Sequence, residues 1–98
     1  MVRDQAMRLL RQNEAELRAA GVGGLFLFGS VAADRARDGS DVDIYFDLSR
    51  TQGFTLVSLV RLKERLEAIL GVHVDLMTRS AIHPRRRTRI EASSVRVF

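Results

Sequence analysis

The stretch Phe28-Gly29-Ser30, followed after ten intervening residues by Asp41-Val42-Asp43, decides how this chain is read. The Gly-Ser pair closes an apolar run, Leu25-Phe26-Leu27-Phe28, and the two aspartates open the next one at alternate positions. A short, continuously apolar run predicts a strand buried on both faces. After it, Val42, Ile44, Phe46 and Leu48 alternate with Asp41, Asp43, Tyr45 and Asp47. That period of two predicts a second strand with one apolar and one polar face. Glycine lets a backbone approach a phosphate without a Cβ in the way, and a serine capping a helix over about Ser30–Ala36 adds a hydroxyl beside free N–H groups. Alone, the Gly-Ser pair reads as an ordinary strand-to-helix turn.

Working outward, Met7, Leu10, Leu17 and Ala20 fall near one stripe and predict a helix over 3–20, interrupted on that stripe by Asn13 and Glu14. Gly21, Gly23 and Gly24 end it. Asp38-Gly39-Ser40 signals a turn, and Arg50 to Gly53 a loop. Leu56, Leu59, Val60, Leu66, Ile69 and Leu70 have helical spacing over 55–70, stopped by Gly71. Val72, Val74 and Leu76 then alternate with His73, Asp75 and Met77, predicting a third strand. Pro84 suits the first turn of a last helix over 84–94. The predicted order is α-β-α-β-α-β-α. It is a mixed α/β (α+β) fold with a small mixed sheet flanked by helices, forming one domain over residues 1–98.

Composition narrows the class. At 46% hydrophobic and 29% charged residues, the 98-residue chain is suited to a folded core rather than to disorder. No apolar run approaches the roughly 20 residues of a membrane span, and no signal peptide is visible, so a cytoplasmic location is expected. Without cysteine there is no disulfide framework and no thiolate chemistry. The net charge of +4 is a local property: residues 79–98 carry six arginines against Glu91 alone, and residues 1–78 are slightly acidic. Such a patch suits an acidic partner surface or the phosphates of a nucleotide. Without interleaved aromatics, a dedicated nucleic-acid surface is disfavoured.

Asp41 and Asp43 stand at i and i+2, about 6.5–7 Å apart along a strand and on one face. Carboxylates so placed repel, and a divalent cation relieves them. Hard oxygen ligands suit Mg²⁺, which commonly binds through carboxylates together with substrate phosphates. Asp75 lies on the polar face of the third strand, so if that strand neighbours the second, three carboxylates converge. A set of three can hold two ions about 3.5–4 Å apart. A lone Asp-x-Asp is more often a solvated face, and it is the Gly-Ser turn and Asp75 that shift the balance. Asp47, two positions further on, is left outside the site. Tyr45 is read as packing against a neighbour, His73 as a partly buried, hydrogen-bonded histidine, and His83 as a helix-entry residue. The Arg85-Arg86-Arg87 run is read as a solvated helix start, with binding of a partner protein as its functional alternative.

Gly29-Ser30 followed by Asp41-Val42-Asp43, with Asp75 in Val74-Asp75-Leu76, resembles the signature of the DNA polymerase β-like nucleotidyltransferase superfamily. Size and pattern resemble its minimal nucleotidyltransferases (MNT), often the antitoxin partners of HEPN-domain toxins. The resemblance implies a nucleotidyltransferase core. Gly29 and Ser30 would hold the β- and γ-phosphates of ATP, and Asp41 and Asp43 would ligate both Mg²⁺ ions. Asp75 would ligate one of them and help activate the acceptor hydroxyl. It further implies AMP transfer to a tyrosine of a HEPN-type toxin, with pyrophosphate released.

The chain departs from the family pattern Gly-Ser-x-Ala-Arg-Gly, reading Gly-Ser-Val-Ala-Ala-Asp over residues 29–34. Ala33 removes a cation and Asp34 adds an anion near the expected triphosphate. A unit charge at 4 Å is worth about 4 kcal/mol at an effective dielectric near 20 before screening, so weaker ATP binding is expected. Arg35 or Arg37 would compensate if turned inward. Alongside the enzyme, two other readings therefore stay open: an antitoxin that neutralises by binding alone, and a nucleotidyltransferase subunit acting on a small molecule or RNA end. A homodimer or a hetero-oligomer is compatible with each.

Overall fold

The computed structural model describes residues 1–35, 41–50 and 52–98. The expected turn at Asp38-Gly39-Ser40 and the side chain of Arg37 lie outside them. Along the chain run α1 (Arg3–Gln12), α2 (Glu14–Ala19), β1 (Val22–Phe28), α3 (Gly29–Ala32), β2 (Val42–Leu48), α4 (Leu56–Leu70), β3 (Val74–Thr78), a 3-10 turn (Arg79–Ala81), α5 (Pro84–Ser93) and β4 (Val95–Arg96). The strands form one mixed sheet in the order β3-β2-β1-β4, with β2 and β3 parallel and the other pairs antiparallel.

Period two sorts the side chains of this sheet between its faces. Leu25 and Leu27 of β1, Val42, Ile44 and Phe46 of β2, and Val74 of β3 point into the main core. There they meet Ala6, Met7 and Leu10 of α1, Leu17 of α2, and Leu62, Leu66 and Leu70 of α4. α4 begins with a reciprocal cap: Thr55 Oγ1 accepts from the Ser58 N–H at 3.2 Å, and Ser58 Oγ accepts from the Thr55 N–H at 3.1 Å. It ends on Gly71, which takes the left-handed conformation (φ +72°). The strand expected over 41–48 and the helix expected over 55–70 are present as β2 and α4, each starting one residue later.

Four local expectations are corrected. The single helix over 3–20 is two helices, because the Asn13 side chain turns back to donate to the Leu9 carbonyl at 2.8 Å and stops α1. The helix expected over 30–36 is the single turn α3; Asp34 beyond it adopts φ +58°, which a right-handed helix cannot continue through. Its N-cap is Phe28, so Ser30 sits inside the turn rather than at the cap. A fourth strand closes the chain: Arg96 and Val95 pair with Phe26 and Leu27.

The second face of the sheet is only partly polar. Phe26 and Tyr45, stacked with ring centroids 4.8 Å apart, form a small second core with Ile82 beneath α5. Tyr45 is 1% exposed and its hydroxyl lies 2.6 Å from Ser94 Oγ. Arg79 seals one end, with its guanidinium 4.7 Å from the Phe26 ring centroid and paired with Asp47 at 2.7 and 3.0 Å. At the other end of the same face the sheet is left uncovered, and the carboxylates stand there.

Candidate functional site

Strand register assembles the site. Across β1–β2, Phe28 faces Asp43, and across β2–β3 Asp43 faces Asp75. Neighbouring strands lie about 4.8 Å apart, so Phe28, Asp43 and Asp75 form one row on the open face. Asp41 immediately precedes β2, two residues before Asp43, and is exposed.

Gly29 closes the row from the β1 side. It has φ +71°, and a Cβ built on it would strike Asp43 Oδ2, with the Asp43 Cγ at 3.1 Å. Glycine is required here twice over, for the left-handed backbone and for the close approach of the turn to a carboxylate. The turn carries Ser30 onward into α3, so Gly29, Ser30, Asp41, Asp43 and Asp75 are gathered at one end of the sheet.

The electrostatics follow from that crowding. The Asp43 carboxyl is held above its ordinary value, first by partial burial, then by the negative charges of Asp75 and Asp41. The donors are all hard carboxylate oxygens, and their mutual repulsion is what a divalent cation relieves, so the set fits such an ion. Among the described residues, no three carboxylate or imidazole groups converge tightly enough to hold a metal ion by themselves. A row along strands spaces its members by the strand separation, so an ion held here draws further oxygens from elsewhere, as Mg²⁺ commonly does from substrate phosphates.

Other candidates fall out as follows. His73 is not partly buried: its side chain is 88% exposed, with Nδ1 3.3 Å from Glu67 Oε2. The strand begins one residue later than His73, which leaves the ring outside the sheet. His83 does serve helix entry, its Nδ1 accepting from the Arg85 N–H at 3.1 Å. Asp47 is committed to Arg79, outside the row.

Asp34 also makes contacts that tie it to the start of α1. Its Oδ1 lies 3.4 Å from the Arg3 N–H at the start of α1, and its own N–H donates to the Val31 carbonyl at 3.0 Å. The left-handed conformation at Asp34 explains why the family pattern has glycine at this point, and aspartate tolerates that region better than most residues. Arg3 also reaches the turn, with Nη1 3.4 Å from the Ala32 carbonyl. Sequence reading gave no signal for that long-range contact.

Comparison with known proteins agrees with this geometry. The profile of the nucleotidyltransferase domain family matches residues 7–97. A protein of Methanocaldococcus jannaschii named as a candidate protein adenylyltransferase is 40% identical over 72 residues, covering 74% of this chain and 75% of its own. The protein adenylyltransferase MntA of Thermococcus cleftensis is 37% identical over 75 residues, covering 76% and 74%. A solved structure described as a minimal nucleotidyltransferase superposes with a TM-score of 0.79 at 33% identity, covering 97% of this chain and 95% of that one. The fold is also that of the MNT antitoxin from Shewanella oneidensis solved with its tri-AMPylated HEPN toxin, with a TM-score of 0.66 at 18% identity over 94% of this chain and 71% of that one. A glycine turn pressed against a carboxylate row, in a chain that the profile spans almost from end to end, makes this protein a member of the nucleotidyltransferase domain family.

Proposed function

We propose that residues 1–98 act as one minimal nucleotidyltransferase domain that transfers AMP from ATP, with Mg²⁺, to a tyrosine hydroxyl of a HEPN-type toxin, and so serve in the cytoplasm as its antitoxin. The observation that carries this reading is the placing of Gly29 against Asp43, with Asp75 opposite Asp43 on the next strand. Phosphate-seating turn and carboxylates thereby share one open end of the sheet. The names of the archaeal relatives support protein as the acceptor class.

In this reading the Gly29 backbone and the Ser30 hydroxyl bind the β- and γ-phosphates. Asp41 and Asp43 hold the metal ions, and Asp75 joins them while orienting the acceptor hydroxyl. The bound ions supply charge neutralisation at the triphosphate and acidification of the acceptor. The acceptor oxygen attacks the α-phosphorus in line, and pyrophosphate departs from the far side.

A second reading, neutralisation by binding alone, is favoured by one observation: Ala33 and Asp34 leave the turn without the cation of the family pattern. Labelled ATP, Mg²⁺ and the toxin encoded beside this protein separate the two. Transfer of label by the wild type, lost in the Asp41→Ala/Asp43→Ala double variant, supports the enzyme. No transfer, with the double variant still neutralising the toxin, establishes the binding-only antitoxin.

A further inference from the structure

Among the described residues, three of the four large apolar side chains left exposed stand together on the first turns of α4. They are Leu56, Val57 and Val60, at 75%, 59% and 48% exposure. The helix buries its other side, Leu62, Leu66 and Leu70, in the main core. We propose that this outer face is a homodimer interface, on which α4 of a second copy packs antiparallel about a two-fold axis. The inference goes beyond AMP transfer and does not depend on it.

The residue pattern of the face argues for a second copy as its occupant. Val57, Arg61, Glu64 and Ala68 fall at i, i+4, i+7 and i+11, so they share one side of the helix, with Val60 beside them. All four are exposed. In a two-fold interface, if residue i meets residue j of the other copy, then j also meets i. Antiparallel pairing centred between Leu62 and Lys63 therefore sets Arg61 against Glu64 twice, and Val57 against Ala68 twice. Parallel pairing would instead oppose Arg61 to Arg61 and Glu64 to Glu64. The face is complementary to itself in the antiparallel orientation.

Neighbouring charges are already committed. Arg65 donates to both carboxylate oxygens of Glu16 at 2.7 and 3.0 Å, and Glu67 accepts from the Val74 N–H at 3.0 Å. Arg61 and Glu64 lie three apart on one helix, yet among the described residues neither enters an ion pair. Two unused charges of opposite sign thus border the apolar patch. Docking here leaves the carboxylate row open, because α4 packs on the core face of the sheet and the row stands on the other. α4 has 15 residues, so the contact runs about 20 Å. One helix pair buries less than the roughly 800 Å² per partner of a standard interface, so the dimer is expected to be weak, in the micromolar range.

Sedimentation equilibrium from micromolar to millimolar protein tests this and should show a monomer–dimer equilibrium. Arg61→Glu and Glu64→Arg should each weaken it about tenfold, because symmetry counts every substitution twice. The Arg61→Glu/Glu64→Arg double variant should restore it, and rescue within one chain is available only to a surface that meets itself. Each substituted side chain is exposed, so melting temperatures should match the wild type. The chain has no cysteine, so introduced ones report the register. Mixed Val57→Cys and Ala68→Cys chains should form the hetero-disulfide in excess, since like positions lie about 16 Å apart along the paired helices. A monomer throughout the range, a dimer indifferent to the charge variants, or a statistical mixture of the three disulfides overturns the inference. Loss of toxin binding in either single charge variant, without rescue in the double, assigns the face to the toxin and overturns it as well.

Discussion

Gly29 lies so close to Asp43 that a single added methyl group would collide with the Asp43 carboxylate oxygen. The contact sets the turn directly against the carboxylate row. Gly29→Ala therefore carries two penalties, a left-handed backbone at φ +71° and a collision with a side chain held on a strand. We expect a loss of about 2 kcal/mol or more in stability by chemical denaturation, and loss of ATP binding by calorimetry. A variant with wild-type ATP affinity would show that the turn does not seat the triphosphate.

The crowding at Asp43 predicts a stability change in the opposite direction. Its carboxyl is raised, so the folded state binds this proton more tightly than the unfolded chain does. Between the ordinary carboxylate value and the raised one, this group's contribution to stability falls as pH rises, and the loss persists above that window. Asp43→Asn removes the charge and should stabilise the metal-free protein at pH 7 by up to about 1 kcal/mol after solvent screening, while abolishing AMP transfer. Glu67 acts with the opposite sign. Its carboxyl is held low, first by the Val74 N–H, so its contribution is present above the ordinary value and lost as pH falls. The Asp43 effect is therefore read as the difference between melting curves of variant and wild type across acid pH.

The contrast between these groups shows what a one-dimensional reading could reach. Asp41 to Leu48 alternates for eight residues, and Gly71 and Pro84 punctuate helices by local chemistry, so those elements were visible. The meeting of Asp43 with Asp75 was conditional on one strand pairing, which the structure supplies. β4 has two residues, too few for any period to show. Arg79 and Asp47 are 32 residues apart, and Arg3 and Asp34 are 31 apart, with nothing local to announce either contact. The β2–β3 register, which sets Phe46 opposite Thr78, brings the first pair together, and the start of α1 reaching the turn after α3 creates the second.

Asp34 offers a separate test of the triphosphate end. Its left-handed backbone costs less for aspartate than for most residues, and Asp34→Gly removes that cost while adding freedom to the unfolded chain. Stability should stay within about 0.5 kcal/mol of wild type. ATP affinity should rise, because one exposed anion beside the turn is gone, by roughly two- to fivefold at low salt. The gain should shrink as ionic strength rises. An unchanged affinity at low salt would mean that the contact with the start of α1 already keeps this carboxylate away from the nucleotide.

Arg79 ties α5 to the sheet. Its guanidinium pairs with Asp47 through two nitrogens, reaches Glu91 of α5 at 3.2 Å, and lies 4.7 and 5.2 Å from the ring centroids of Phe26 and Tyr45. These contacts join β2, the turn after β3, and α5, and α5 in turn forms one wall of a cavity beside Asp75. Arg79→Ala should cost about 1–3 kcal/mol, since it removes the ion pairs and the stacking together. Asp47→Ala should cost less, because the stacking and the Glu91 pair survive it. Arg79→Lys should fall between them, as lysine keeps the charge without the planar fork. If α5 is held this way, urea denaturation will give that order, and hydrogen exchange will show Ile90 and its neighbours losing protection before β1 and β2 do. Equal costs for Arg79→Ala and Asp47→Ala would place all the stabilisation in the ion pair and none in the aromatic stack.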